Sequence, residues 1–302
     1  MAQSLLFLRQ NSYSMKKLLI LFLISCNGFI FAQDNTEVYV FDISPAYEGF
    51  ELLNARNVSN NEGYDNQPSF ISNDALVFAG NNNGQTDISE YNFTTQVKKW
   101  VNPETEGSEY SPQKFPSNKD LAAVRHDKDG KQRLYKYNLE TGTSSELIEN
   151  IEVAYFAFYN DEKILATILS RAQMDLVMID LNTKSTDTLF QNAGRTIQKI
   201  PATNSMAYTL VNEEKNLDLY VLDMNSKDSY FICELPFNTQ DYVWLNDTQI
   251  LTGMGSKLYI YDTLGESEWK KVASLDEYGI KNITRMAISP NGKKLALVAD
   301  ED

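Results

Sequence analysis

A single histidine, His126, stands among 41 acids, 27 bases and two cysteines in a chain of 302 residues. One imidazole cannot build a His-based metal centre. It also argues against a Ser-His-Asp or Cys-His mechanism, and no G-x-S-x-G elbow occurs to present a nucleophile. Asp127-Lys128-Asp129-Gly130 has the acid spacing that opens a calcium loop, but the twelfth position, where a bidentate Glu belongs, is Asn138. A solvated turn between two strands explains the same residues, as it explains Asn81-Asn82-Asn83-Gly84. Glu213-Glu214 and Asp300-Glu301-Asp302 read as surface charge, and Cys233, with no base beside it in sequence, reads as a buried small hydrophobe. No catalytic residue, metal ligand or cofactor is assigned.

The residues left for recognition are aromatic and cationic: Tyr64, Tyr110, Arg125, His126, Arg171, Arg195, Tyr242 and Arg285. Tyr and Arg anchor ligands well because each combines a large flat contact surface with polar reach. Scattered over more than 200 residues, they can act together only if the fold returns to one place at regular intervals.

A repeat supplies that return. The pattern apolar, variable, variable, apolar or aromatic, then Asp or Asn appears at Val38–Asp42, Ile88–Asn92, Leu134–Asn138, Leu176–Asp180, Leu219–Asp223 and Leu258–Asp262. Turn formers follow most copies, as in Thr94-Thr95 and Glu140-Thr141-Gly142, so each is a strand leading into a tight turn. A second pattern precedes it: an aromatic or aliphatic residue, a turn and an apolar strand. Its copies are Phe70 with Leu76-Val77-Phe78, Phe115 with Leu121-Ala122-Ala123, and Phe158 with Ile164-Leu165-Ala166. A degenerate copy at Ile200 with Ala207-Tyr208, then Trp244 with Ile250-Leu251 and Ile288 with Leu295-Ala296-Leu297, complete the set. Units of about 44 residues, each of four strands, predict an all-β, six-bladed β-propeller. No useful helical period competes.

The phase of the repeat predicts the closure. The repeats open on a third-strand pattern at 38–42 and close on a first-to-second-strand pattern at 285–300, so the two ends should share one composite blade, closing the ring non-covalently without a free sheet edge. The candidate anchors are then expected on the loops joining second to third strands and those joining blades.

Residues 15–33 read as a secretory signal peptide: Met15-Lys16-Lys17, an apolar run too short to span a bilayer, then Ala32-Gln33. Residues 1–14 are expected to be a mis-assigned upstream start. Leu23-Ile24-Ser25-Cys26 resembles a lipobox, so a lipid anchor at Cys26 is the alternative to soluble export to the periplasm or outside the cell. Residues 34–302, expected to form the propeller domain, carry 24 bases against 41 acids, a charge of −17. Such a surface argues against nucleic acid or an anionic membrane as partner.

Two stretches carry a family resemblance: Tyr64-Asp65-Asn66-Gln67-Pro68-Ser69-Phe70-Ile71-Ser72-Asn73-Asp74 and Ser289-Pro290-Asn291-Gly292-Lys293-Lys294-Leu295. They resemble the TolB-type, WD40-like propeller repeat of exported bacterial proteins, and four further copies are eroded. TolB itself carries an α/β domain ahead of its propeller and works in envelope maintenance with a peptidoglycan-associated lipoprotein; Asp34 to Val38 leaves no room for such a domain. Prolyl-oligopeptidase-type enzymes follow their propeller with a hydrolase domain, and no such domain is expected here. The expectation is a monomeric, non-catalytic propeller that binds a protein, peptide or envelope glycan through one face. The alternative is a metal-dependent propeller hydrolase or lactonase whose axial ligands come from several blades.

Overall fold

The computed structural model describes residues 35–46, 49–101 and 105–300. The expectations for residues 1–33, Cys26 included, fall outside them. Thr36–Pro45 (β1) and Phe50–Asn57 (β2) come first. Blade one is Asn66–Phe70 (β3), Ala75–Asn82 (β4), Gln85–Asn92 (β5) and Val97–Trp100 (β6). Blade two is Ser108–Lys114 (β7), Leu121–His126 (β8), Gln132–Tyr137 (β9) and Ser144–Glu146 (β10). Blade three comprises Val153–Phe158 (β11), Lys163–Ser170 (β12), Gln173–Asp180 (β13) and Thr186–Phe190 (β14). Blade four comprises Ala193–Lys199 (β15), Ser205–Val211 (β16), Leu217–Asp223 (β17) and Ser229–Glu234 (β18). Blade five has Val243–Trp244 (β19), Gln249–Met254 (β20), Lys257–Asp262 (β21) and Lys270–Ser274 (β22). Lys281–Ile288 (β23) and Lys294–Asp300 (β24) finish the ring.

Six antiparallel four-stranded sheets result, and the sixth has the order β2-β1-β24-β23. The composite blade is therefore real: β1 pairs with β24 from Thr36↔Asp300 to Asp42↔Lys294. The degenerate unit at Ile200 makes a complete blade, β15 to β18. Closure removes the seam but not every edge, which corrects the expectation above: each blade keeps an outermost strand with one side unpaired. Those edges are blunted by charge or brevity, as in Val97-Lys98-Lys99-Trp100 and the three-residue β10. Among the described residues the only helical element is the 3₁₀ turn Asp276–Tyr278, and no helix is long and apolar enough to cross a membrane.

The Asp or Asn that marks the repeat has a mechanical role. Asn92 Oδ1 accepts the backbone N–H groups of Thr94 and Thr95 at 3.0 and 2.9 Å, and Asn138, Asp180 and Asp223 make the same pair of bonds. A short acceptor at that position turns the chain from third to fourth strand. Asp42 departs from the rule, because β1 runs on to Pro45; its carboxylate takes Arg56 and Lys294 instead, at 2.6 and 2.9 Å.

The hydrophobic core is divided into six clusters, each at an interface between adjacent blades. The second strands are buried on both faces, which is why they read as unbroken apolar runs such as Leu76-Val77-Phe78. Hydrogen bonds also cross these interfaces near the repeat spacing. Gln113 Nε2 donates to Phe156 O at 2.6 Å over 43 residues, and Gln198 Nε2 donates to Tyr242 O at 2.6 Å over 44.

Candidate functional site

The inner strands β3, β7, β11, β15, β19 and β23 surround an axial channel of about 690 Å³. Its mouth lies among the turns from first to second strands, at Pro116, Pro201, Leu245 and Pro290. A smaller pocket of about 270 Å³ opens among the opposite connections, lined by Phe237–Gln240 and Gly253–Gly255. Arg195, Asp241, Arg285 and Met286 line both cavities, so they form the partition between them.

That partition can be built from one column of the repeat. In every blade a backbone N–H closes the first turn: Ile71, Phe115, Tyr159, Ile200, Leu245 and Ser289. Four residues upstream stand Gln67, Ser111, Tyr155, Thr196, Asp241 and Arg285. All six are joined in pairs by hydrogen bonds or a ring contact. Ser111 N donates to Gln67 Oε1 at 2.7 Å, Thr196 Oγ1 to Asp241 Oδ1 at 2.6 Å, and Met286 N to Asp241 Oδ2 at 2.7 Å. The Arg285 guanidinium lies 5.2 Å from the Tyr155 ring centroid, a cation–π contact. Gln67 and Ser111 carry φ of 55° and 52°, the left-handed turn that sets the irregular register of β3 and β7 ahead of Pro68 and Pro112.

Arg195 reaches across from blade four to blade six, where its Nη2 donates to Thr284 O at 2.6 Å. Its Nε is buried with no partner, as is Thr284 Oγ1. Burial holds the Arg195 pKa below the usual guanidinium range, and the neighbouring Arg285 lowers it further while Asp241 opposes. Tyr64, on the connection from β2 to β3, packs edge-on against Tyr110 of β7 with ring centroids 6.1 Å apart. Burial pushes the Tyr64 hydroxyl up to about 12, and the two arginines pull the other way. The electrostatic neighbours of Tyr64 are Arg285, Tyr110, Tyr155 and Arg195, so these five side chains share one throat.

Four predicted anchors, Tyr64, Tyr110, Arg195 and Arg285, therefore meet, although three of them stand on inner strands rather than on loops. Of the other predictions, Tyr242 and Arg125 need correction, while Arg171 stands on the expected kind of loop. Tyr242 is fully buried in the interface of blades four and five and presents nothing to a ligand. Arg125 lies on β8, with its guanidinium 3.5 Å from the Tyr135 ring centroid and its Nε donating to Asp127 at 2.5 Å. Asp127 and Asp129 also hold Arg133, at 2.6 and 2.7 Å, which makes the supposed calcium fragment a salt-bridged hairpin turn. His126 ends the same strand, and Arg171 sits exposed in the turn between β12 and β13, away from the throat. The expected face holds the smaller of these two cavities. The larger cavity opens opposite, because small residues such as Ser69, Ala157 and Ala287 leave the middle of the channel wide. Tyr155 and Asp241 were missed, and their signal was the repeat column itself.

Among the described residues no cluster of His, Cys, Asp and Glu is arranged to hold a metal ion. No family model and no curated protein matches the chain. Solved structures do match in fold. A putative TolB from Agrobacterium tumefaciens superposes with a TM-score of 0.67 at 11% identity over 89% of this chain and 99% of that one. TolB from Acinetobacter baumannii gives 0.54 at 12% over 97% and 70%, and XC5397 from Xanthomonas campestris, described as a gluconolactonase, gives 0.61 at 8% over 89% and 97%. Likeness at such identities establishes the propeller and leaves the activity open.

Proposed function

We propose that this chain is an exported, monomeric, non-catalytic propeller that binds a protein, peptide or envelope glycan at one end of its ring. The observation that carries the reading is the convergence of Tyr64, Tyr110, Tyr155, Arg195 and Arg285, drawn from five of the six blades or their connections, at the partition of the axial channel. Residues so distant in sequence need no common location for folding, yet Tyr155, Arg195 and Arg285 line one cavity and Tyr64 and Tyr110 pack beside them. The signal-like segment 15–33 supports export. A metal-dependent lactonase would need several axial oxygens. The partition offers one carboxylate, Asp241, and both of its oxygens already accept hydrogen bonds.

Photo-crosslinking at the rim tests this. Phe237, 72% exposed beside the smaller pocket, and Phe231, 56% exposed on β18, would each be replaced by a benzophenone amino acid. A discrete adduct from envelope material at position 237 and none at 231 is expected. Adducts at neither position, or equally at both, would overturn the reading, and so would a rise in melting midpoint with calcium or zinc that Asp241→Asn abolishes.

A further inference from the structure

We propose that the throat between Arg195 and Arg285 is a carboxylate-binding site, the point at which a ligand entering the channel is anchored. The inference rests on the binding reading above and names the chemistry at its centre.

The argument begins with charge. Arg195 and Arg285 line the same cavity, with Arg285 near enough to disfavour the charge on Arg195, in a chain whose other charges are mostly negative. Neither forms an ion pair with any described residue, whereas Arg56, Arg125 and Arg133 all do. The nearby carboxylate, Asp241, is committed: one oxygen takes the Thr196 hydroxyl and the other the Met286 N–H. Two cations and one anion leave a single uncompensated positive charge in a partly desolvated place, an arrangement that costs stability unless a monoanion completes it.

Donor geometry points the same way. The Arg195 Nη2 is used on Thr284 O, but its Nε is buried and unpartnered, and the adjacent Thr284 hydroxyl is equally unpartnered. Arg285 is held by the Tyr155 face without a hydrogen bond to a described residue, so its fork of N–H groups is available. Guanidinium groups bind carboxylates through paired, charge-assisted hydrogen bonds. The tyrosine hydroxyls of Tyr64 and Tyr110 add neutral donors, and Tyr64 stays protonated at any physiological pH because burial lifts it to about 12. A monoanion fits this set better than a dianion, because one negative charge balances the throat and two would leave it negative.

The carboxylate can belong to a small free acid or to the end of a peptide chain lying in the channel. Both sources are separable with defined probes on the folded protein. Acetate, trialanine, trialanine amide and inorganic phosphate would be titrated calorimetrically into the wild type, Arg285→Gln, Arg285→Lys, Arg195→Gln and, as a surface control, Arg171→Gln. Trialanine is expected to bind the wild type at least ~10-fold more tightly than its amide, a ratio typical of one lost charge-assisted pair. Arg285→Gln and Arg195→Gln should each erase that difference, Arg285→Lys should retain part of it, and Arg171→Gln should leave it intact. Trialanine binding more tightly than acetate assigns the site to chain ends, and equal affinity assigns it to small acids. Equal binding of acid and amide, no binding of either carboxylate, phosphate outcompeting acetate, or an unaltered Arg285→Lys and Arg285→Gln pair would overturn the proposal. None of these results touches the rim crosslinks, so failure of the anchor and failure of the binding reading are distinguishable.

Discussion

Two carboxyl groups of this protein, Asp65 and Glu109, are held back from ionising, each with a second acid set against it. Glu37 of β1 faces Asp65 at the start of blade one, and Asp87 of β5 faces Glu109 in blade two, so one repeat position supplies both pairs. Burial is the largest influence on Asp65 and Glu109, and the neighbouring carboxyl adds to it, raising them to about 7 and about 8. Asn61, Lys98 and the Asn81 backbone oppose at Asp65, and Thr105 and the Tyr137 hydroxyl, 3.0 Å away, oppose at Glu109. Between the unfolded carboxylate range near 4 and these values the folded ring keeps protons that the unfolded chain releases. The stability they contribute is complete below the unfolded pKa and is lost as pH rises through 7 to 8. The melting midpoint should therefore be several degrees higher at about pH 5.5 than at about pH 8.5. Asp65→Asn with Glu109→Gln should flatten that slope, and a slope left unchanged would refute the assignment. Cys233 allows a sharper test. Burial pushes its thiol up to about 12, so a thiol reagent should label it only after denaturant is added, and rapid native labelling would contradict its place in the interface of blades four and five. These acids were not legible in the sequence, because Asp65 within Tyr64-Asp65-Asn66-Gln67-Pro68 reads as turn chemistry until the fold sets Glu37 against it. Tyr242 misled for the converse reason: a loop aromatic and an interface aromatic have the same local pattern.

At the scale of strands and turns, tolerance is set by how closely neighbouring strands of a blade pack. Gly194 on β15 has ordinary backbone angles, yet a Cβ there would lie 2.1 Å from Thr209 Oγ1 on β16 and 3.2 Å from Leu217. Thr209 is buried and its hydroxyl has no partner, so it has little room to withdraw. Gly194→Ala is expected to destabilise by about 1–3 kcal/mol, as overpacking does, measured by denaturant titration. The double variant Gly194→Ala, Thr209→Ala should recover part of that loss, which a purely conformational glycine effect would not allow. Strands of this kind were readable because each answers to local chemistry. Third strands alternate and end on an Asn or Asp acceptor, and second strands are apolar throughout because blades cover both their faces. The inner strands were harder. Their side chains answer to neighbours 43 to 46 residues away, as Gln113 does to Phe156 and Gln198 to Trp244, and no short window contains that information. Tyr155 and Asp241 belong to that layer, so aligning all six units by their first turn would have exposed the column that holds them.

For the whole molecule, the six-fold plan and its closure follow from period and phase, while the throat depends on which blade carries which exception. Closure is the part that can be moved. In the composite blade the chain is interrupted between second and third strands, and Thr36 and Asp300 are register partners across β1 and β24. A two-residue Asn-Gly turn can therefore join Asp300 to Thr36 as an ordinary hairpin. Opening the chain between Glu213 and Glu214, in the turn from β16 to β17, would make blade four the composite one with the same topology. If closure depends only on strand pairing and interface burial, this permutant of residues 36–300 should melt within about 3 °C of the unpermuted segment, equivalent to ~1 kcal/mol. The same joined chain left unopened, and so fully cyclic, should melt higher, because the covalent link removes loop-closure entropy from the unfolded ensemble. A permutant that loses cooperative unfolding would show that the pairing of β1 with β24 forms early and organises the ring. Equal stability would show instead that six interfaces of similar size share the work, which is what the division of the core into six clusters implies.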